Sequence, residues 1–369
     1  MGPPSSLRIA IQQSIRQIQR LDDSQIKTLS PAARYLIAPG LSFVAGLTAA
    51  SNSVRGWLAR NGLRGPIPLP VPVIGIGSLT SVGTGKTPFV EFLARHYGRA
   101  HATPSLILQA GPGAADEIKF LAEVVCVNCL EPLGNGRLRP RGTLREPARA
   151  ALRRADAVVL HHADLAGEEE VGRVEGTLAA LAPRHTLFMR TRMAPLSLRS
   201  LIPPAASLDM SEAGGLGGHV SLARLHGAHV VCLVGVGLPA SVEAHVRGLG
   251  AAAVEGAGDH PDHHEFELEE VQAAIARVRE LQGTPGVRHA CLIMTEKDYA
   301  RQRDLFEAIF SQHAAAPDVT SGPLEEGAPR WGAYLLQSGL EVVQHDRRFS
   351  GTKAVFNAVL RLANDNFRQ

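Results

Sequence analysis

One loop constrains the fold of this chain more than any other feature. Residues 80–87 read Thr-Ser-Val-Gly-Thr-Gly-Lys-Thr, and they follow an apolar run, Val71 to Gly77, that is typical of a buried strand. The stretch from Lys86 to Tyr97 has the pattern of a helix. A glycine-rich loop between a strand and a helix presents backbone N–H groups and the helix N-terminus to an anion. This order predicts a phosphate-binding loop in an α/β fold.

The side chains of this loop have separate expected roles. Lys86 would neutralise the β- and γ-phosphates of a nucleotide, and the Thr87 hydroxyl would hold Mg²⁺. The strict motif has Gly where Thr80 stands, and the alternative is a glycine-rich turn without a ligand. We predict that the whole loop binds nucleotide, with Thr87 as the metal ligand. Its residues are Thr80, Ser81, Val82, Gly83, Thr84, Gly85, Lys86 and Thr87.

Composition places the chain among globular proteins. Apolar residues make up 45% and charged residues 20% of its 369 residues, which excludes wholesale disorder and favours two domains. The net charge is only +3, so nucleic acid is not an expected partner. Four cysteines are too few for a disulfide scaffold and favour a reducing compartment.

Short apolar runs alternate with helical stretches, which is typical of a parallel sheet covered on both faces. Before a Gly-, Ala-, Ser- and Pro-rich stretch at 203–218, the further strand candidates are Ser105–Leu108, Val124–Val127, Ala157–Leu160 and Thr186–Met189, with a helix at Arg145–Arg154. After it come strands at His229–Val236 and Ala290–Met294 and helices at Ala240–Leu249, Leu268–Leu281 and Lys353–Leu362.

These patterns predict a nucleotide-binding α/β/α domain at 65–220 and a smaller α/β domain at 221–312. Residues 313–369 are predicted to be a loop and a C-terminal helix, and residues 1–30 an extension. The extension is basic and contains serines, which fits either a mitochondrial transit peptide or an ordinary terminus.

Residues 31–64 combine an apolar segment with arginines that follow it. Tyr35 to Ala50 is apolar but interrupted by Pro39 and Gly40, and Arg55 and Arg60 come after it. This order fits an interfacial helix with its apolar face in the acyl boundary. A first helix packed on the domain core is the alternative.

Four blocks, taken in order, resemble the tetraacyldisaccharide 4'-kinases, the lipid A kinases. The first is Pro72-Val73-Ile74 running into the loop, with Pro88 after Gly-Lys-Thr. The others resemble the family's Gly-Asn-Gly-Arg, Asp-His-His and Thr-Glu-Lys-Asp motifs. They lie at Gly134–Pro147, Asp262–Phe266 and Thr295–Asp298.

This resemblance implies ATP-dependent, Mg²⁺-requiring phosphorylation of the 4'-hydroxyl of a lipid disaccharide at a membrane surface. It implies two α/β/α domains with the active site in the cleft. It also implies that Asp116 pairs with His263 near the attacking hydroxyl. The expected location is a membrane, in mitochondria for a eukaryotic chain and on the cytoplasmic face of the inner membrane for a bacterial one. Oligomeric state is left open.

The chain departs from the family pattern between Asp116 and Gly134. The family's Asp-Asp-Gly-x-Gln strand end, which serves Mg²⁺ and the phosphates, has no counterpart, since the only Asp-Asp pair is Asp22-Asp23. The spacing is too short for the expected helix and strands, so a βα unit is missing. A degenerate nucleotide- or lipid-binding relative is therefore the alternative to an active kinase, and an unrelated P-loop NTPase would need motifs that are absent.

Two further clusters contain metal-ligand residue types. Cys126 and Cys129 have Cys-x-x-Cys spacing, but strand positions i and i+3 point to opposite faces, so we do not expect them to chelate. Residues 259–264 are rich in His and Asp and favour one catalytic histidine over a transition-metal site. His161-His162 ends a strand, where histidines are more often solvated or packed in the core than functional. Asp298 is either a site residue or a buried cap for the helix that follows it.

Overall fold

The computed structural model describes residues 15, 18–19, 21, 38–60, 69–80, 83–101, 105–108, 120–202, 218–258, 260, 262–312, 331–345, 357–361 and 363. The chain divides into two compact units, Met1–Arg192 with Leu340–Gln369, and Met193–Gly339. Asp116, Ser81, Val82 and the linker at 203–217 lie outside the described residues.

The first unit is built on parallel strands. Its elements are α1 (Ala38–Arg60), β1 (Ile74–Ser78), α2 (Lys86–His101), β2 (Ala122–Asn128), α3 (Ala148–Arg153), β3 (Ala157–His161), α4 (Ala163–Ala166), α5 (Glu168–Ala179) and the start of β4 (Leu187–Ser200). The sheet order is β1-β2-β3-β4, and each neighbouring pair is parallel. Residues 357–361 are helical.

Both faces of this sheet are covered, as its continuous apolar strands predict. On one face, β2 and β3 pack against α3 and α5 through buried Leu152, Val171 and Leu178. On the other, Phe89 and Leu93 of α2 cover the alternate strand residues. Successive strand side chains point to opposite faces, which is why one strand serves both layers.

The second unit follows the same plan. Its elements are the end of β4, β5 (His219–Val220), a 3₁₀ helix (Leu222–Leu225), β6 (His229–Cys232), α6 (Pro239–Gly248), β7 (Ala253–Gly256), α7 (Leu268–Gln282), β8 (Ala290–Thr295), α8 (Glu296–Arg301), α9 (Arg303–Ser311) and most of β9 (Trp331–His345). β6 pairs in parallel with β7 and β8, and β8 pairs in parallel with β9.

Helices cover this second sheet on both faces as well. Val271 and Val278 of α7 and Phe306 of α9 pack on one face. Val246 of α6 and Leu225 of the 3₁₀ helix pack on the other. Two α/β/α units, the second one smaller, confirm the predicted fold class.

The strand predicted at Ser105–Leu108 is wrong. These residues have no regular secondary structure, and Leu106, Ile107 and Leu108 are exposed. Among the described strands, β1 pairs with β2 alone. A strand needs a partner for its backbone groups, so an apolar run without a neighbouring strand stays outside the sheet.

The two compact units do not divide where the sequence placed the domain boundaries. The divisions fall at 192/193 and 339/340, inside β4 and β9, and not in the glycine-rich stretch at 203–218. The prediction of a loop and helix at 313–369 missed β9, because Gly332, Ser338 and Gly339 interrupt its apolar pattern. Long strands shared by two units give no linker signal for sequence reasoning to detect.

The helical segment predicted within 31–64 is present as α1. Ala38 and Ala45 are buried, whereas Phe43, Leu47 and Val54 are 70%, 56% and 56% exposed. None of the described helices combines the length and apolar content needed to cross a bilayer. The exposed residues recur at helical spacing and form one apolar stripe on α1.

Candidate active site

The phosphate-binding loop leads from β1 into the N-terminus of α2. Gly83 and Gly85 have positive φ angles of 49° and 71°, a conformation that glycine adopts without strain. The Lys86 Nζ donates to Ser78 Oγ at 2.8 Å and to Thr84 Oγ1 at 3.4 Å. The Ser78 hydroxyl in turn donates to the Thr80 carbonyl at 2.9 Å. The lysine is therefore held over the loop before any ligand binds.

His161 explains why the second glycine is needed. A Cβ on Gly85 would lie 2.6 Å from the His161 ring, closer than any real side-chain contact. The ring is buried at the carboxyl end of β3, and its Nδ1 lies 3.0 Å from Thr191 Oγ1. The sequence predicted a core or solvated His161, and the structure buries this residue with its ring against the loop.

Thr80, which stands where the strict motif has Gly, is the buried first residue of this loop. It is 1% exposed, and its Oγ1 has no hydrogen-bond partner among the described residues. A buried hydroxyl without a partner costs free energy unless a ligand or water satisfies it. Together with the two glycines and Lys86, this hydroxyl fits the phosphates of a nucleotide.

The Gly-Asn-Gly-Arg block packs directly against the phosphate-binding loop. Thr80 forms an antiparallel bridge with Leu144, and the Arg145 amide donates to the Leu79 carbonyl at 2.9 Å. Within the block, the Asn135 side chain donates to the Arg141 carbonyl at 3.2 Å and accepts from the Arg137 amide at 3.1 Å. These contacts make the block a rigid wall next to Thr80.

Glycine at position 142 is required by this packing. A Cβ there would lie 2.1 Å from the Arg137 carbonyl oxygen. The neighbouring Arg141 is 1% exposed, and its Nη1 donates to the Ile18 carbonyl at 2.8 Å. The block is therefore anchored to a residue of the N-terminal extension as well.

In the second unit, the Asp-His-His segment lies at the carboxyl ends of the parallel strands β6 and β8. The His263 amide donates to the Gly235 carbonyl at 3.0 Å. A Cβ on Gly235 would lie 3.1 Å from His264 Cβ and 3.2 Å from Asp298 Oδ1. Gly235 thus lets two of the family motifs, Asp-His-His and Thr-Glu-Lys-Asp, approach each other.

The His263 ring extends into solvent and is oriented by neighbouring charges. Its side chain is 70% exposed and its φ is 63°, which is unusual for a residue with a Cβ. Its Nδ1 lies 3.3 Å from Arg301 Nη2, and its Nε2 lies 3.6 Å from Asp262 Oδ2. Because a guanidinium only donates, this contact is a hydrogen bond in the tautomer whose Nδ1 accepts.

Residues of the Thr-Glu-Lys-Asp segment contact Asp262 and Arg301, the two neighbours of the His263 ring. Asp298 is fully buried, accepts from Thr295 Oγ1 at 2.7 Å and lies 3.4 Å from Arg301 Nη1. Thr295 caps α8 by accepting from the Asp298 amide. The Lys297 Nζ donates to Asp262 Oδ1 at 2.5 Å. Asp298 therefore occupies a buried helix start, the alternative considered from sequence, and also holds Arg301.

The Cys-x-x-Cys pair is divided between two faces of the first sheet, as its spacing predicts. Cys126 packs with Phe89 in one apolar layer, and Cys129 packs with Leu144 in the other. Burial raises the pKa of each thiol to about 12. These thiols remain protonated at neutral pH and lie in separate apolar layers.

A family model supplies the decisive comparison. The model of tetraacyldisaccharide-1-P 4'-kinase, LpxK, matches residues 37–110 and 117–323, well over half of the chain. The chain belongs to this family. The match includes all four motif blocks and the residues around the phosphate-binding loop.

Relatives of the family are found in a plant and in bacteria. A probable mitochondrial tetraacyldisaccharide 4'-kinase from Arabidopsis thaliana is 27% identical, over 78% of this chain and 87% of the relative. A tetraacyldisaccharide 4'-kinase from Anaeromyxobacter sp. (strain Fw109-5) is 31% identical, over 84% of this chain and 92% of the relative. A crystal structure of LpxK from Aquifex aeolicus in complex with ATP matches 89% of this chain and 99% of that chain, with 15% identity and a TM-score of 0.47.

The comparisons also differ from this chain in length. The alignment to the Arabidopsis relative runs over 363 positions but covers only 78% of this chain, so the relative carries residues without a counterpart here. The match to the family model is interrupted between residues 110 and 117. The match resumes at residue 117 and continues through Gly134 to residue 323.

Proposed function

We propose that this chain is an ATP-dependent kinase that phosphorylates the 4'-hydroxyl of a tetraacyl disaccharide 1-phosphate. The observation that carries the proposal is the family match across both units, with Lys86 and the glycine-rich loop at its first block. Phosphoryl transfer needs positioned charge and an oriented hydroxyl more than covalent chemistry by the protein. The chain contains residues suited to each task.

The first unit would hold the nucleotide. ATP supplies the phosphoryl group and Mg²⁺ neutralises its charge when they are bound. The backbone at Gly83 and Gly85 leaves room for phosphate oxygens, and Lys86 offers a point charge. The hydroxyls of Thr80 and Thr87 can donate hydrogen bonds to phosphate oxygens, and their oxygens can coordinate Mg²⁺.

The second unit would act on the sugar hydroxyl. We assign the orienting role to His263 together with Asp116, on the family resemblance. The arrangement of His263 supports this assignment, since its ring is exposed and lies between Arg301 and Asp262. Neutral histidine near a hydroxyl can orient it and take up its proton.

The substrate's acyl chains imply action at a membrane surface. We propose that α1 lies in the interface with Phe43, Leu47 and Val54 towards the acyl chains, since these large apolar side chains are exposed. The compartment would be mitochondrial for a eukaryotic source, as in the name of the Arabidopsis relative, and the cytoplasmic face of the inner membrane for a bacterial one.

Two substitutions separate the nucleotide half of this proposal from the hydroxyl half. Lys86→Ala is expected to lower both Mg·ATP affinity and phosphate transfer by roughly 10²-fold or more, because the phosphates lose a preorganised charge. His263→Ala is expected to leave Mg·ATP affinity unchanged and to lower transfer by roughly 10² to 10⁴-fold. Calorimetry measures the affinity, and label from γ-³²P-ATP on the 4'-position measures the transfer.

Arg95→Ala is the matched control for Lys86→Ala. Arg95 lies on the same helix as Lys86, and its side chain is 74% exposed. Among the described residues, its ion-pair partner is Glu91. This control should bind and transfer like the wild type. Normal transfer by Lys86→Ala would refute the nucleotide site, and normal transfer by His263→Ala would refute the role of that ring.

A further inference from the structure

Three side chains beside the Asp-His-His segment bring metal-ligand atoms together. One ligand atom from each of His260, His264 and Glu270 lies within 4.8 Å of the other two. The His264 Nε2 lies 2.8 Å and 3.0 Å from the two Glu270 oxygens, and the His260 Nδ1 lies 3.6 Å from Oε1. These are not the residues of the phosphate-binding loop, and His263 is not among them.

We propose that His260 Nδ1, His264 Nε2 and the Glu270 carboxylate bind one divalent transition-metal ion, with Zn²⁺ as the best-suited ion. Two imidazoles and one carboxylate are a donor set that zinc accepts, with a fourth position left for water. Tetrahedral zinc with bonds of about 2.1 Å places its ligand atoms about 3.4 Å apart. Both imidazole nitrogens must aim at one ion in their own ring planes, so binding requires the two stacked rings to rotate out of their near-parallel arrangement as the ligand atoms close to that distance.

The surroundings of the three ligands are those of a built site. The side chains of His260 and His264 are 10% and 22% exposed, and their rings stack with centroids 4.5 Å apart. Phe266 packs edge-on against both rings, at 5.1 Å and 5.0 Å. An apolar wall of this kind limits water access and strengthens the interaction of ligands with a cation.

Rigid elements hold the ligands in place. Glu270 lies in the first turn of α7, where it also accepts from the Glu267 amide at 2.8 Å in a capping box. The Glu270 carboxylate is therefore oriented both by the helix start and by the His264 ring.

The neighbouring Asp262 and His263 have other partners, so the three ligands form a defined set within the His- and Asp-rich segment. Asp262 accepts from Lys297, and the His263 ring faces Arg301. His260 and His264 lie on either side of the exposed His263. A metal bound to both would fix the backbone that presents His263, a consequence that rests on the function proposed above.

The test uses the full-length, tag-free chain after removal of metal by a chelator. Titration with Zn²⁺ should give one site, and Co²⁺ in its place should give a visible absorption band without sulfur-to-metal charge transfer. His264→Ala and Glu270→Gln should each weaken Zn²⁺ binding by roughly 10-fold or more, since each removes a ligand. Zn²⁺ should raise the melting temperature of the wild type and not that of these variants.

His263→Ala and His219→Ala are the controls, because both remove a histidine outside the three ligands, and both should bind Zn²⁺ like the wild type. Melting of each variant without metal shows whether it is folded, and Glu270→Gln retains the size of the side chain. No binding by the wild type, equal binding by the ligand variants, or a cobalt spectrum with thiolate charge transfer would each overturn the site. None of these measurements depends on kinase activity, so the function and the metal site can fail separately.

Discussion

At the scale of single residues, the phosphate-binding loop needs glycine at position 85 because the buried His161 ring packs against it. Its φ of 71° and the 2.6 Å approach of the His161 ring leave no room for a Cβ. We expect Gly85→Ala to lower Mg·ATP affinity at least about 10-fold, since a left-handed alanine costs about 1–2 kcal/mol before the steric clash is added. Calorimetry with Mg·ATP measures the effect.

Gly176→Ala is the matched control for that substitution. Gly176 lies inside α5, and a Cβ there would meet nothing within 4 Å. Alanine in a helix interior is favoured over glycine by about 0.5–1 kcal/mol, so this variant should melt slightly higher and bind Mg·ATP normally. Unchanged affinity in Gly85→Ala would show that the loop tolerates a Cβ and would contradict the role given to His161.

Residue types could be predicted from sequence only where a local motif defines them. Gly83, Gly85 and Lys86 follow from the loop pattern and its position between strand and helix. Arg301 and Glu270 were missed, because their partners His263 and His264 lie far along the chain or across a turn. The available signals were weak: Arg301 follows Asp298 by one helical turn, and Glu270 completes a Glu-x-x-Glu capping box.

At the scale of elements, the exposed apolar stripe of α1 is the surface that we propose contacts the acyl chains of the membrane. We expect the double substitution Phe43→Ser with Leu47→Ser to reduce co-sedimentation with anionic liposomes several-fold. These side chains are 70% and 56% exposed, so little core packing is lost, whereas each buried apolar side chain contributes about 1.5–3 kcal/mol to membrane partition.

Val343→Ser controls for the removal of an exposed apolar side chain elsewhere. Val343 is 52% exposed on β9, and its substitution should leave liposome binding unchanged. A double variant of α1 that still co-sediments fully would show that the stripe does not face lipid. Melting temperatures of both variants should stay close to that of the wild type.

Strand and helix types were predicted well where periodicity and apolar runs are long, as in β2, β3, α2 and α7. The run at 105–108 has the composition of a strand but not the structure, because strand formation depends on a neighbour that composition cannot reveal. β9 was missed because glycines interrupt its apolar pattern. Its pairing with β8, which the local sequence does not reveal, maintains the strand.

At the scale of the whole molecule, the family match extends over both units of the chain, which lacks residues that its relatives contain. The resemblance assigns adjacent aspartates to the missing segment, next to the metal. Mg²⁺ often needs only one or two carboxylates in addition to phosphates and waters, so we expect the chain to bind nucleotide without that segment. Preorganised charge at the transferring phosphoryl group does matter for rate.

The most direct test is transfer of labelled γ-phosphate to a tetraacyl disaccharide 1-phosphate in mixed micelles. The chain is compared with a version in which the family's Asp-Asp-Gly-x-Gln segment is restored between Asp116 and Gly134. We predict label at the 4'-position from both proteins, with the restored chain faster by roughly 10²-fold or more. No label from either protein would contradict the kinase assignment, and equal rates would contradict the importance of the missing segment.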